Sequence, residues 1–124
     1  MTTPYDDIVE AMGIYFDGLY RSDTSRLARV FHPKAVYVCA TEGKLVHLGM
    51  NEYFPVVDQR PSPESRGEAR SDRIISIEFA GPVTAFVRAE CAIGPKFFTD
   101  LLTFVRIDGR WQIISKVFHF DIRG

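Results

Sequence analysis

The sequence predicts an α+β fold in which helices cover one face of a mostly antiparallel sheet. Helix signals end near residue 60, and only strand signals follow from residue 71 onward. Short turn signals separate four long strands in that second half. Helices grouped before an antiparallel meander are typical of this class, and long strands of this kind curl around the helices to leave a conical hollow. With 124 residues, the chain fits one domain, residues 1–124.

The first helix is predicted from Pro4 to about Tyr20. Thr3 is a suitable cap, and Pro4 suits the first helical position. Close packing against the sheet would explain Gly13 and Gly18 within this helix. An apolar stripe at alternating spacings of four and three residues indicates the buried face: Tyr5, Val9, Met12, Phe16 and Leu19.

A short second helix follows, with Asp23 as its cap and Pro33 as its end. Its predicted buried residues are Leu27, Val30 and Phe31. The β-branched and aromatic run 35–40 predicts a strand, and 45–49 predicts a short returning strand. Asn51 is the predicted cap of a third helix, which runs to about Gln59.

Segment 60–70 is predicted to be a loop, because it combines prolines, serines, a glycine and several charges. Whether this loop gates a cavity is left open. The four long strands are predicted at 72–79, 83–93, 97–107 and 110–121.

Composition excludes several classes of function. The net charge of −1 gives no reason to expect nucleic acid as a partner. No apolar run approaches the ~20 residues of a membrane helix, so no membrane partner is predicted. The N-terminus lacks the basic and apolar regions of a secretory signal, which predicts a cytoplasmic protein.

Cysteine usage and motifs predict no metal and no cofactor. Cys39 and Cys91 lie in apolar runs without zinc-ligand spacing, so both are expected to be reduced core thiols. The sequence has no glycine-rich phosphate loop, no GxSxG elbow and no HExxH motif.

The last hairpin predicts where two polar residues meet. Asp108-Gly109 is a strong signal for a two-residue turn, which pairs the residues so that Phe98 faces His119. Asp100 and His119 then become diagonal neighbours on one face, with Cα atoms ~7–8 Å apart. This face is predicted to be the concave side, and Lys116 is predicted to lie on the wetter, convex side.

Asp100 and His119 are therefore the candidate catalytic residues, because polar groups inside an apolar hollow are often functional. An alternative stays open for each: Asp100 accepts hydrogen bonds from a helix residue, and His119 lies at a frayed strand end. Tyr15 has the alternative of a core tyrosine, and His32 that of a cation at a helix end. Candidate ligand-binding residues are Tyr15, His32, Tyr37, Tyr53, Phe98 and Leu102.

Two stretches resemble a known family. They are "YFDGLYRSDTSRLARVFHPKAVYV" and "FTDLLTFVRIDGRWQIISKVFH", and they are similar to the lumazine-binding family of the nuclear-transport-factor-two-like superfamily. SnoaL-like polyketide cyclases and ketosteroid isomerases belong to the same superfamily. The resemblance implies a nuclear-transport-factor-two-like cone, with three helices packed in the concave face of a curved, mostly antiparallel mixed sheet. It also implies a homodimer built through the sheet.

The resemblance has one departure. Cys39 falls at about the position where ketosteroid isomerases carry their aspartate base, so isomerase activity of that kind is not expected. Asp100 lies on the strand that carries the second acidic residue there, and Tyr15 roughly matches the region that supplies a catalytic tyrosine.

Three functions compete. The first is a small-molecule-binding domain with a conical apolar cavity, for a small apolar or aromatic ligand. The second is a cofactor-free lyase, isomerase or cyclase of the SnoaL type, in which Asp100 and His119 shuttle a proton and Tyr15 or Tyr37 stabilises an oxyanion. The third is an interaction module that dimerises and has a filled core.

Overall fold

The protein is described here by a computed structural model that covers residues 2–123. Within that range the chain forms three helices and six strands. In chain order these are α1 (Pro4–Arg21), α2 (Thr24–Val30), β1 (Phe31–Cys39), β2 (Val46–Gly49), α3 (Met50–Gln59), β3 (Asp72–Phe79), β4 (Thr84–Ile93), β5 (Lys96–Ile107) and β6 (Arg110–Ile122).

The six strands form one curved sheet in the order β2-β1-β6-β5-β4-β3. Only the β1–β6 pair of this sheet is parallel, and the other neighbours are antiparallel. The three helices pack on the sheet, so the predicted α+β cone is confirmed. Among residues 2–123, no helix has the length and apolar composition needed to cross a membrane.

Helix α1 begins as predicted, and Met12, Phe16 and Leu19 of the predicted stripe are buried. Thr3 Oγ1 accepts a hydrogen bond from the Asp6 amide at 3.1 Å, and the Thr3 amide donates back to Asp6 Oδ2 at 3.4 Å. Tyr5 and Val9 of the predicted stripe are exposed, because the helix is rotated toward Ile8 and Tyr15. The buried residues are Ile8, Ala11, Met12, Tyr15, Phe16, Gly18 and Leu19.

Helix α2 starts at the predicted cap, where Asp23 Oδ1 accepts from the amides of Ser25 and Arg26 at 3.1 and 3.2 Å. It ends at Val30, earlier than Pro33 would require, and β1 begins at once with Phe31. The predicted position of His32 at a helix end is therefore wrong, because His32 lies in strand β1.

Helix α3 begins one residue before the predicted cap, since Asn51 already lies in its first turn. Gly49 occupies the cap position, and its amide donates to Glu52 Oε1 at 3.1 Å. The predicted end at Gln59 is confirmed.

A β-bulge in β6 changes the predicted register. Pairing follows the prediction from Ile107–Arg110 to Phe104–Ile113, but Ile114 then has no partner in β5 and Thr103 pairs with Ser115. Because side chains alternate with a period of two, this one-residue shift moves every later side chain of β6 to the other face.

The bulge turns Lys116 and Phe118 inward and Val117 and His119 outward. Lys116 and Phe118 are 4% and 7% exposed, whereas Val117 is 43% exposed. The prediction that Lys116 lies on the convex face and His119 on the concave face is therefore wrong.

Aromatic and aliphatic side chains fill the narrow end of the cone. Phe31 stands at the centre of this packing, with ring centroids 6.0 Å from Tyr15, 6.1 Å from Tyr53 and 6.2 Å from Phe54. Tilted and edge-on pairs at such distances add to the free energy of burial.

Gly18 lets α1 and α2 approach closely. A Cβ added at Gly18 would lie 2.6 Å from Leu27 Cδ2 and 2.8 Å from Leu27 Cγ, and Leu27 is fully buried. The predicted packing against the sheet is wrong for both glycines: Gly18 contacts α2, and a Cβ at Gly13 would meet nothing within 4 Å.

We expect Gly18→Ala to lower the free energy of unfolding by about 1–3 kcal/mol, because Leu27 must shift within a packed core. Gly13→Ala is the matched control, and it should raise stability by up to about 1 kcal/mol through helix propensity. Urea unfolding followed by circular dichroism measures both. Equal effects of the two substitutions would contradict the close contact.

Candidate functional site

A carboxylate lies at the centre of the sheet's concave face. Asp100 of β5 is fully buried, and Tyr15 of α1 donates its hydroxyl hydrogen to Asp100 Oδ2 at 2.5 Å. Asp100 Oδ1 has no hydrogen-bond partner within residues 2–123. The alternative considered for Asp100, a hydrogen bond from a helix residue, is thus present, but it occupies only one of the two oxygens.

A lysine lies on the same face beside this carboxylate. Lys116 pairs with Leu102 across β5 and is therefore diagonal to Asp100, which pairs with Phe118. In the part of the chain that the structure describes, Lys116 forms no ion pair within 4.0 Å and no side-chain hydrogen bond. A buried charge without an acceptor is costly.

Four aromatic rings surround the Lys116 ammonium. Nζ lies 5.2 Å from the ring centroids of Tyr15 and Phe118, and 5.5 Å from those of Tyr37 and Tyr53. The negative faces of these rings offset part of the cost of burying the cation.

The groups around Lys116 also determine the protonation states of Lys116 and Tyr15. Burial lowers the pKa of Lys116, but the negative charges that Tyr53 and Asp100 carry when ionised raise this pKa above its ordinary value. Burial, and then the charge of Asp100, raise the pKa of Tyr15 well above 10.0. At neutral pH the site therefore holds the Lys116 ammonium and the neutral Tyr15 phenol, whose hydroxyl donates a hydrogen bond to Asp100.

A cavity of about 770 Å³, here called the mouth cavity, opens at the wide end of the cone. The ends of β1, β5 and β6, the turns at 40–45 and 94–95, and loop 60–61 surround it. Its aromatic lining residues are Tyr37, Phe98, Phe118 and Phe120, and its charged lining residues are Glu42, Lys44, Arg60, Arg66 and Lys96.

A small void of about 10 Å³ leads from the mouth cavity toward Lys116. The two share four lining residues, Tyr37, Arg60, Ile93 and Phe98. Tyr53, Cys91 and Lys116 line the void but not the mouth cavity. Its volume is about that of one water-sized group.

Segment 60–70 forms one wall of the mouth cavity. Glu68 holds it in place, since Glu68 Oε1 accepts from the Gly94 amide at 2.8 Å and the Tyr20 hydroxyl donates to the Glu68 carbonyl at 2.7 Å. Arg66 Nε also pairs with Glu68 Oε2 at 2.8 Å. These bonds attach the segment to α1 and to the β4–β5 turn.

Neither histidine candidate reaches the mouth cavity or the void. His119 Nδ1 lies 2.9 Å from Thr41 Oγ1, His119 Nε2 lies 3.0 Å from Asp121 Oδ1, and the His119 side chain is 58% exposed. His32 Nδ1 accepts from the Lys34 amide at 3.0 Å in β1. The predicted neighbour relation of Asp100 and His119 is wrong, because the bulge turns His119 to the convex face.

The other predicted residues separate into three positions. Tyr37 and Phe98 line both the mouth cavity and the void, and Tyr53 lines the void. Tyr15 and Leu102 lie in the core, where Tyr15 reaches the site through Asp100.

Two cations of this site were not singled out from the sequence. Lys116 was assigned to the wrong face because its register depends on the bulge. Arg60 was read only as the start of a charged loop, although its Nε and Nη2 atoms are buried without a hydrogen-bond partner in the described residues.

The fold and the position of this site define a nuclear-transport-factor-two-like protein. A protein of this type and of unknown function from Silicibacter pomeroyi DSS-3 superposes with a TM-score of 0.85 and 25% identity, over 98% of this chain and 100% of that one. One from Shewanella baltica OS155 gives a TM-score of 0.83 and 26% identity, over 98% of each chain.

The family model described as "Putative lumazine-binding" matches residues 4–119, and the chain belongs to that family. Among characterised proteins, the aldolase FrzH of a Cladobotryum species is 29% identical over 120 residues, which cover 95% of this chain and 92% of the relative.

We expect Tyr15→Phe to lower the free energy of unfolding by about 3 kcal/mol, because it leaves the buried Asp100 carboxylate without its donor. Tyr53→Phe is the matched control: the Tyr53 hydroxyl is buried without a partner in the described residues, so its removal should cost little or nothing. Urea unfolding compares the two variants. A loss at Tyr53 equal to that at Tyr15 would contradict the importance of the Tyr15–Asp100 bond.

Alkaline pH should destabilise the protein partly through Cys91. Burial, and then the charge of Asp100, raise the pKa of this thiol from 9.0 to about 12. The folded state therefore binds the proton of the Cys91 thiol more tightly than the unfolded state does. The stability that this proton contributes is complete below pH 9 and is lost as pH rises toward 12. The expected loss is about 1.4 kcal/mol for each pH unit above 9.

Unfolding of Cys91→Ala between pH 8 and pH 11 should show a shallower loss of stability than wild type. Cys39→Ala retains the Cys91 thiol and should keep the wild-type slope. Identical slopes in the two variants would show that Cys91 does not cause the pH dependence.

Proposed function

We propose that this protein binds a small organic molecule with an aromatic or polycyclic body in the mouth cavity. The observation that carries this proposal is a cavity of about 770 Å³ lined by four aromatic rings and by charged side chains. Ligand sites of proteins commonly have this volume, a mainly apolar lining and few polar groups.

The aromatic wall is continuous along three strands. The ring of Phe118 lies 4.7 Å from Tyr37 and 5.8 Å from Phe98, and Phe98 lies 5.8 Å from Phe120. Such a wall presents ring faces and edges to a flat ligand. This supports the aromatic class of ligand predicted from the sequence.

A second candidate function is a cofactor-free lyase of the aldol type. The similarity to a protein named as an aldolase supports it, as does the cation at the inner end of the cavity. In an aldol addition, a base removes a proton beside one carbonyl, the resulting enolate carbon bonds to the carbonyl carbon of the acceptor, and the acceptor oxygen takes up a proton. Cleavage is the reverse.

In this proposal Lys116 stabilises the enolate oxygen through its charge. A Schiff base would need a neutral amine, and the raised pKa of Lys116 opposes that form. Asp100, with Oδ1 unpartnered among the described residues, is the proposed proton acceptor. His119 no longer has the role that the sequence suggested, because it faces away from the cone.

A homodimer through the sheet stays a prediction. Val117 is exposed on the convex face, and Leu101 lies beside it. Together with Arg88 and His119 they line a shallow depression of about 340 Å³. An apolar centre with polar groups around it is compatible with a partner surface.

Val56→Trp should block binding, because Val56 lines the mouth cavity and is 50% exposed there, so an indole ring would occupy the cavity without disturbing the core. Val83→Trp, at a valine that is 48% exposed in the β3–β4 turn, is the matched control. Calorimetric titration with aromatic ketones and polycyclic enones should show affinity at least about tenfold weaker for Val56→Trp and unchanged for Val83→Trp.

Retro-aldol turnover of the bound compounds, measured with the same variants, separates the two functions. Turnover that Val56→Trp abolishes supports the lyase, and binding without turnover supports a binding protein. If wild type binds none of the compounds, or if Val56→Trp binds like wild type, the mouth cavity is not the ligand site.

A further inference from the structure

Two cationic side chains converge on the void beneath the mouth cavity. Arg60 from the end of α3 and Lys116 from β6 both line it. Their positive charges both lower the pKa values of Tyr37 and Cys91, against the larger effect of burial. The two charges therefore act on the same small region, although they come from opposite walls of the cone.

Both cations lack acceptors among residues 2–123. Arg60 Nε and Nη2 are buried without hydrogen-bond partners, and Lys116, only 4% exposed, forms no ion pair there. Of the other cations of the mouth cavity, Arg66 pairs with Glu68, Lys96 Nζ lies 4.6 Å from the Phe120 ring centroid, and Lys44 is exposed to solvent. Arg60 and Lys116 are the two cations that line the void, and neither has a carboxylate partner within the described residues.

The surrounding groups do not neutralise this pair. Tyr37 and Cys91 line the void, and because burial raises the pKa of each, both are neutral at pH 7. Asp100 is the nearby carboxylate on the concave face, and one of its oxygens is already bound to Tyr15. Two cations therefore face at most one buried anion, although the whole chain has a net charge of −1.

We propose that the ligand of the mouth cavity carries a carboxylate, and that one of its oxygens enters the void and accepts hydrogen bonds from Arg60 and Lys116. The void has room for about one oxygen-sized group. A guanidinium and an ammonium are the donors that proteins use for such anions. This inference rests on the proposed function, since it places the acid at the inner end of the same cavity.

The aromatic wall and the cation pair together specify the shape of the ligand. Tyr37 and Phe98 line both the mouth cavity and the void, and Phe118 lines the mouth cavity with its ring centroid 5.2 Å from Lys116 Nζ. An aromatic body would contact these rings while its acidic group points into the void. An aromatic carboxylic acid satisfies both parts. Its carboxamide keeps the shape and the aromatic contacts but removes the charge.

Matched pairs of benzoate with benzamide, naphthoate with naphthamide, and anthracene carboxylate with its amide test the inference by calorimetric titration at pH 7 and low salt. Wild type should bind at least one acid about tenfold or more tightly than its amide. Arg60→Gln and Lys116→Met should each remove that preference and leave binding of the amide within about threefold.

Lys34→Gln is the control for charge. It removes one positive charge from an exposed position of β1 outside the mouth cavity and should retain the wild-type preference. Thermal unfolding verifies that each variant is folded. If Lys116→Met does not fold, Arg60→Gln still tests the site, because the Arg60 side chain lies at the edge of the core.

The outcomes separate the two proposals. Equal affinity of wild type for acid and amide would overturn the carboxylate site while leaving ligand binding in the mouth cavity intact. A preference for the acid that persists in both variants would also overturn it, because the charge would then be recognised elsewhere. Failure of wild type to bind any acid or amide, together with the enones and ketones above, would overturn the proposed function itself.

Discussion

The unpaired Ile114 in β6 is the constraint on which the site depends. By adding one residue to β6 without a partner in β5, it reverses the orientation of every side chain from Ser115 onward. Without it, Val117 and His119 would face the helices, and Lys116 would point to solvent. The cone would then hold an imidazole near Asp100 in place of an ammonium. One extra backbone residue thus decides whether an imidazole or an ammonium group lies in the hollow beside Asp100.

The same constraint explains why α1 and the sheet are joined by a polar contact inside an apolar core. A buried ammonium favours a negative charge nearby, and Asp100 supplies it from the diagonal position on β5. Asp100 in turn needs a donor, which is the Tyr15 hydroxyl from α1. The rings of Tyr37, Tyr53 and Phe118 complete the shell around Lys116. Each of these groups satisfies part of the electrostatic or hydrogen-bonding requirement of the next. The donors that remain without an acceptor among the described residues, those of Arg60 and Lys116, line the void.

Much of the fold could be predicted because its signals are local. The Thr3 cap, the Asp23 cap, the Asp108-Gly109 turn and strand β3 follow from residue types at short spacing, and the structure has them where the sequence indicates. The bulge could not be predicted, since Ile113-Ile114-Ser115 contains no glycine or proline to mark it. It arises from pairing on both sides of β6, with β5 and with the parallel strand β1. The inward orientation of Asp100 and Phe98 could be predicted because β5 keeps the simple alternation, whereas that of Lys116 could not because β6 contains the bulge.

Membership of this family predicts the conical fold but not the chemistry of its cavity, because function depends on the particular residues that line the site. Cys39, at about the position where the resemblance to ketosteroid isomerases would place an aspartate base, is a buried thiol that lines the mouth cavity. The buried carboxylate of this site is Asp100 on β5, and Arg60 and Lys116 line the void that adjoins the mouth cavity. In the proposed function, a ligand in the mouth cavity would meet these positive charges before it could reach Asp100. Recognition by positive charge would therefore precede any proton transfer, whether the bound molecule is then transformed or only held.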